Sequence, residues 1–428
     1  MNISQIHQLF LESAGACTDT RKIKPNTIFF ALKGDNFNGN TYADKAVELG
    51  AKYAIIDEGK FKKTSKHILV DHVLKTLQEL ATYHREYLKI PIIGLTGSNG
   101  KTTTKELINK VLSSTFKTTA TTGNLNNHIG VPLTLLSMTE ETEIGIVEMG
   151  ANHQKEIDFL CSIAKPDFGY ITNIGKAHLE GFGGIEGVLK GKTELYKHLK
   201  QNDKLVFLNA QDKKLKKASE GLKTYSFSQN YGKDVKVLFT KTNPNVVVLY
   251  KGLTIQSNLI GAYNFTNIAA AITIGDYFKI DPKQIKNAIE EYIPSNNRSQ
   301  IIEHGNFIVI LDAYNANPSS MEAAIQNFDL LEGYSFKSAF LGDMFELGKE
   351  ASSEHQKISE LIASTQVNEI HLIGSNFYEI SNDDSRIKKY KSFDELKDQW
   401  SFTSKNEKSV LLIKGSRGMK LERILDLL

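Results

Sequence analysis

The sequence predicts an α/β protein of three domains with mostly parallel sheets. Three observations carry this. The chain has 428 residues, close to three times the ~150 residues typical of one domain. Apolar strand-like runs alternate with amphipathic stretches along most of the chain, and such alternation builds parallel sheets covered by helices. The stretch 91–104 joins an apolar run to a helix through Gly97, Gly100 and Lys101, the strand–turn–helix layout of a phosphate-binding loop.

In chain order, residues 1–88 read as a small α/β unit. It has strands at 27–32 and 53–56, a short helix at 42–49 closed by Gly50, and an amphipathic helix at 73–87. Pro91 then punctuates the chain. Residues 89–297 carry strands at 91–95, 117–120, 144–149, 168–172 and 204–208. Their helices fall at 101–113, 153–163, 186–199 and 265–278. Three β-like runs at 235–240, 245–250 and 253–259 read as a small antiparallel appendage. Pro294-Ser295-Asn296-Asn297 reads as a linker. Residues 298–428 resume the alternation, with strands at 306–312, 337–341, 369–373 and 409–413 and helices at 318–331, 352–364, 392–400 and 418–427.

Composition narrows the partners. Lys plus Arg is 52 and Asp plus Glu is 49, a net charge of +3. This balance argues against nucleic acid or an acidic membrane surface. The two cysteines, Cys17 and Cys161, have no metal-type spacing and suit a reducing cytoplasm. The first residues lack a basic segment followed by an apolar run, so no signal peptide is expected. No apolar run approaches the ~20 residues of a membrane span. A cytoplasmic monomer is expected.

The chemistry collects around the loop. Its glycines let backbone N–H groups converge, the helix start adds a positive dipole end, and Thr102 offers a hydroxyl to Mg²⁺. The general pattern places a glycine five residues before Gly100. Leu95 stands there instead, which leaves open a variant loop or a Gly-rich turn with a solvated lysine. The stretch Thr121-Thr122-Gly123-Asn124-Leu125-Asn126-Asn127-His128-Ile129-Gly130-Val131-Pro132 reads as a loop at the carboxyl edge of the sheet, where open α/β folds bind ligands. Its plain alternative is a turn whose side chains bond their own backbone. Glu148 ends a central strand, placed for Mg²⁺ or for capping the next helix. His178 follows another strand at the same edge. Lys190 and Lys192, on the next helix, read alone as surface charges.

These stretches resemble the Mur ligase family over essentially the whole chain. The marks are Thr18-Asp19-Thr20-Arg21, Phe30-Ala31-Leu32-Lys33-Gly34 and Thr96-Gly97-Ser98-Asn99-Gly100-Lys101-Thr102-Thr103, then Gly123 to Pro132, Glu148-Met149-Gly150-Ala151-Asn152 and Asn173 to Gly183. Further on come Gly261-Ala262-Tyr263-Asn264-Phe265-Thr266-Asn267, Asp312-Ala313-Tyr314-Asn315-Ala316-Asn317-Pro318, Gly342-Asp343-Met344-Phe345-Glu346-Leu347-Gly348 and Lys414-Gly415-Ser416-Arg417-Gly418. Thr-Gly-x-Asn-Gly-Lys-Thr is this family's own form of the loop. The Tyr-Asn-Ala-Asn-Pro and Gly-Asp-Met-x-Glu-Leu-Gly stretches point to the branch that joins D-alanyl-D-alanine to UDP-N-acetylmuramoyl-tripeptide, the last cytoplasmic step of peptidoglycan precursor synthesis.

The resemblance implies a fold and roles. Residues 1–88 would be a UDP-binding domain, 89–297 a P-loop ATPase domain and 298–428 a Rossmann-like ligase domain. The reaction would be ATP-dependent amide formation through an acyl phosphate. Thr96, Gly97, Ser98, Asn99, Gly100, Lys101, Thr102 and Thr103 would hold ATP phosphates, Asn264 and Asn267 its adenine, Asp312 its ribose, and Arg298 would lie near the phosphates. Thr102 and Glu148 would bind one Mg²⁺. Glu148, His178 and a carbamylated Lys192 would serve a second, so that Lys101, Glu148, His178 and Lys192 form the catalytic set. Thr20, Arg21, Lys33 and Gly34 would meet the uridine diphosphate, and Asn126 and Asn127 the nucleotide-sugar substrate. The chain departs from the family at Asn38-Gly39-Asn40 (commonly Asp-Gly-His), at Tyr263 (often His) and at Leu311-Asp312-Ala313 (usually Asp-Asp-Ser). Two other readings stand beside this one: a related ligase such as folylpolyglutamate synthetase, and a P-loop ATPase switch.

Overall fold

The computed structural model describes residues 1–230, 234–242, 244–295, 297–304, 307–401 and 408–428. Three sheets organise them. The first has four parallel strands in the order Ala16–Cys17, Ile28–Phe30, Tyr53–Ile56 and His67–Leu69. Ile28, Phe29 and Phe30 are all buried, as an uninterrupted apolar run requires when both faces are covered. The helix Val73–Leu88 buries Val73, Leu77, Leu80 and Ala81. It ends at Lys89, whose φ is 54°, and Ile90 and Pro91 lead directly into the strand Ile92–Thr96. This helix also packs on Gly130–Leu136 and Glu156–Ala164 of the next unit. Gly130–Leu136 is itself a correction, because the reading of residues 121–132 as a loop ran into its first turn.

The central sheet has nine strands. Their order is Leu253–Ile260, Asn245–Tyr250, Val235–Thr242, Lys223–Ser228, Leu205–Asn209, Phe168–Ile171, Ile92–Thr96, Ile144–Glu148 and Thr118–Ala120. The strand of the phosphate loop lies between Phe168–Ile171 and Ile144–Glu148, parallel to both. The loop, Glu148 and the segment after Ile171 therefore emerge at one edge. The expected appendage is antiparallel within itself, but it is continuous with the main sheet. Lys223–Ser228 pairs with Leu205–Asn209 on one side and, through Phe227 and Ser228, with Val235 and Lys236 on the other. Its polar-rich sequence concealed that bridging strand. The helix expected at 186–199 is two helices, Ile185–Lys192 and Glu194–Gln201. They meet at Thr193, whose hydroxyl bonds back to Leu189 O at 2.8 Å, a contact that bends helices.

The third sheet runs Gln300–His304, Phe307–Asp312, Ser409–Lys414, Phe336–Gly342, Glu369–Ile373 and Ile387–Tyr390. Only the first of these pairs antiparallel. Asn296 of the expected linker and residue 306 of the expected strand lie outside the described residues. The helix expected at 418–427 is 3₁₀, as Arg417–Met419 and Leu421–Leu427. One buried apolar cluster includes Ile6 and Leu77 from the first unit, Leu135 and Ile157 from the second, and Phe328 and Met344 from the third. Among the described residues no helix is long and apolar enough to cross a membrane.

Candidate active site

The loop after Ile92–Thr96 turns on two glycines. Gly97 has φ 145°, and a Cβ there would sit 1.9 Å from Thr172 Oγ1; Gly100, with φ 78°, is the N-cap of the helix Lys101–Leu112. These are the positions where only glycine fits. Lys101 curls back so that Nζ donates to Gly97 O at 2.7 Å and Ser98 O at 3.2 Å. Burial lowers its pKa, against the pull of the Glu148 carboxylate. The loop is tied to the neighbouring strand's exit. Ser98 N donates to Asn173 O and Asn99 N to Asn173 Oδ1, both at 3.0 Å, while Gly175 N donates to Ser98 Oγ at 2.9 Å.

Glu148 ends the adjacent strand and is 1% exposed. Its Oε1 accepts from Asn126 Nδ2 at 2.8 Å. Its Oε2 is buried and has no hydrogen-bond partner among the described residues. A buried carboxylate oxygen without a donor is costly, and in the cavity it shares with Thr102 it is a fit for a divalent cation. Among the described residues no three His, Cys, Asp or Glu side chains cluster as a metal centre. Such an ion would draw its remaining ligands from phosphate oxygens and water, the habit of Mg²⁺.

His178 has φ 52° and pairs through Nδ1 with Glu346 of the third unit. Burial lowers its pKa while Glu346 raises it. Lys192 is 1% exposed, contrary to the surface-charge reading. Its Nζ donates to Ala151 O at 3.0 Å and lies 5.0 Å over the Phe182 ring. Burial, then the charge of Lys101, holds it well below the ordinary lysine value.

In the first turn of the loop helix, Thr104 Oγ1 donates to Asn267 Oδ1 at 3.0 Å, Asn267 Nδ2 to Asn264 Oδ1 at 2.8 Å, and Asn264 Nδ2 to Ile260 O at 2.7 Å. Arg298 stacks 3.6 Å over the Tyr314 ring, and its buried Nε has no partner among the described residues. Asp312 accepts from Ser299 N at 3.1 Å and pairs with the buried Lys414.

A cavity of about 1020 Å³ brings together Ser98, Asn99, Gly100, Lys101, Thr102 and Thr103 with Glu148, His178, Asn126 and Asn127. Asn264, Asn267, Arg298 and Asp312 close it. Thr96, Gly97 and Lys192 do not line it, nor do Thr20, Arg21, Lys33 and Gly34 of the first unit. Arg21 there is paired with Asp19 at 2.7 Å and Lys33 with Asp57 at 3.0 Å. The sequence reading gave no role to Tyr314, Asn317, Glu346 or Lys414, though all lie in stretches it singled out. Asn317 Nδ2 donates to Asn99 Oδ1 at 2.7 Å, which links the third unit to the phosphate loop.

The family models match in three consecutive segments. These are the Mur ligase family catalytic domain over residues 14–85, the middle domain over 95–275 and the glutamate ligase domain over 297–417. A UDP-N-acetylmuramoyl-tripeptide–D-alanyl-D-alanine ligase of Bacillus subtilis (strain 168) is 35% identical over 423 residues, 96% of this chain and 92% of that protein. The chain belongs to the Mur ligase family. A relative of the same name from Buchnera aphidicola subsp. Baizongia pistaciae (strain Bp) is 32% identical over 99% of this chain and 94% of its own length. A crystal structure of MurF from Acinetobacter baumannii superimposes with a TM-score of 0.85 at 28% identity, covering 98% of this chain and 97% of that one. The three Mur ligase segments follow the three large sheets in order, and the cavity lies where loops of the second and third converge.

Proposed function

We propose that this Mur ligase joins D-alanyl-D-alanine to UDP-N-acetylmuramoyl-tripeptide in an ATP-dependent, ADP-forming reaction. The near-full-length similarity to ligases of that name supports the reading. The observation that carries it is the single cavity walled by the phosphate loop, by the unpartnered Glu148 oxygen and by Arg298 and Asp312.

A carboxylate resists attack because of its charge and resonance. Its oxygen attacks the γ-phosphorus of ATP, ADP leaves, and an acyl phosphate forms. The neutral amine of the dipeptide then attacks the carbonyl carbon. The tetrahedral adduct collapses to amide and phosphate. Lys101 and the loop N–H groups hold the β- and γ-phosphates in line. Asn264 and Asn267 meet the adenine, Asp312 the ribose, and Arg298 the phosphates. Thr102 and Glu148 are the proposed holders of one Mg²⁺; Glu148, His178 and Lys192 as a carbamate are those of a second. When bound, the metal supplies charge neutralisation on the transferring group. Burial, then the charge of Lys101, disfavours the charged form of the Lys192 amine, and a carbamate forms from the uncharged one. Thr20, Arg21, Lys33 and Gly34 hold the uridine diphosphate, with Arg21 and Lys33 exchanging their carboxylate partners for phosphate. Asn126 and Asn127 guide the sugar-peptide toward the loop. The work is divided among residues 1–88, 89–297 and 298–428, in a cytoplasmic monomer.

Phosphate release tests this. It should be nearly silent with ATP alone and rise only when both the tripeptide nucleotide and D-alanyl-D-alanine are present, with a product of the summed mass less water. ATP turnover unaffected by either substrate would overturn the reading in favour of a nucleotide-driven switch.

A further inference from the structure

The seam between the second and third units carries an ion pair that the chemistry above does not use. Lys176 Nζ lies 2.7 Å from Glu354 Oε1, on the helix Ala351–Ala363. The Glu354 side chain is 4% exposed and that of Lys176 41%. Neither lines the cavity. The segment holding Lys176 is gripped at further points by the third unit. Lys176 N donates to Ser319 Oγ at 3.0 Å, His178 pairs with Glu346, and Glu180 N donates to Glu346 O at 3.4 Å. On its other side the same segment holds the phosphate loop through Asn173 and Gly175.

We propose that Lys176 and Glu354 are positioning residues whose ion pair docks the C-terminal unit onto the segment 173–178 and thereby fixes the phosphate loop for phosphoryl transfer. The proposal rests on the ligase reading. Lys357 completes the device. Its Nζ donates to the same Glu354 oxygen at 2.8 Å from one turn along the helix. When the unit undocks, the nearly buried carboxylate keeps this cation, so undocking does not strand a bare charge. When it docks, Lys176 adds a second. A pair half open to water is weak enough to release, which suits a unit that must part to admit and discharge substrates.

Charge exchange tests it. Lys176→Glu and Glu354→Lys are each expected to lower kcat about tenfold, within the range of coupled pairs, while the dissociation constant for ADP stays within about twofold. The double variant, with the pair reversed, should regain most of the wild-type kcat. In small-angle scattering with an ATP analogue and the tripeptide nucleotide, each single variant should stay more extended than wild type, and the double should compact again. Single variants as active as wild type, or a double no better than the weaker single, would overturn the proposal. Should a reversed chain fail to fold, Lys176→Met and Glu354→Gln serve instead. Their losses should not add, and additive losses would overturn it. A wild type without substrate-dependent turnover would instead sink the ligase reading itself.

Discussion

At the scale of single residues, Glu148 is the position where environment speaks most directly of chemistry. One oxygen is satisfied by Asn126 and the other has no donor among the described residues. Replacement by Gln keeps the acceptor for Asn126 and removes the charge. Turnover should fall ~100-fold or more, about 2.7 kcal/mol of barrier, with little change in the thermal unfolding midpoint. A loss of folding in proportion to activity would argue that the residue is only structural. Lys192 gives a second expectation. With ¹³C-bicarbonate present, the wild type should show a carbamate resonance that Lys192→Arg lacks, and the variant should ligate at least ~100-fold more slowly. Glu148 was legible in sequence because it ends an apolar strand beside the loop strand. Lys192 was legible only through family resemblance, since its spacing on a helix says nothing of the Phe182 ring that covers it. Glu354 left no signal at all. Its role depends on a partner 178 positions away.

At the scale of elements, local periodicity located most strands and helices, and failed where contact rather than pattern decides. Residues 235–259 showed their strands, yet their union with the main sheet runs through Lys223–Ser228, whose alternation is too polar to announce a strand. The break at Thr193 comes from a side-chain bond invisible in the amphipathic pattern. The helix Ile3–Leu11 was missed altogether, and it holds a titratable contact. His84 Nε2 faces Met138 O at 2.9 Å and so must carry the proton. His84 Nδ1 then accepts from His7 Nε2, 3.0 Å away. Burial, and then the charge of His84, bring His7 down to about 4, and burial lowers His84 as well. Both groups bind protons more readily in the unfolded chain, whose histidines titrate near 6.5. Stability should therefore be level above that pH and decline as pH falls from 6.5 toward 4, with a slope of up to ~1.4 kcal/mol per unit for each histidine. Denaturant unfolding at pH 7.5, 6 and 5 should show the decline. His7→Gln, which retains a donor but cannot titrate, should make the decline shallower by His7's share and leave that of His84.

At the scale of the whole molecule, the two outer units are attached differently. The first is joined by helix packing, Val73–Leu88 against Gly130–Leu136 and Glu156–Ala164, in an apolar cluster that also takes in residues of the third unit. The third reaches the phosphate loop and its neighbour through polar side chains: Asn317, Glu346 and Glu354. A chain starting at residue 89 would bare the apolar faces of two helices. In calorimetry it should unfold at a distinctly lower temperature than the full chain and aggregate. A chain ending at 297 should lose less. Equal losses would contradict the distinction.

Between the helix Val73–Leu88 and the strand Ile92–Thr96 only Lys89, Ile90 and Pro91 intervene. Three residues reach ~10 Å at most, and proline stiffens them. Under the proposed assignment of the uridine diphosphate to the first unit, the nucleotide end of the substrate would be anchored on a body tied closely to the phosphate loop, and the acyl end would have to arrive at that loop unaided. The gap between the two acts as a gauge of fixed length. A nucleotide whose peptide is one residue short would bind and stop before the γ-phosphate, and one a residue too long would overshoot it. On that assignment the enzyme would measure its substrate by span, before any side chain along the peptide is inspected.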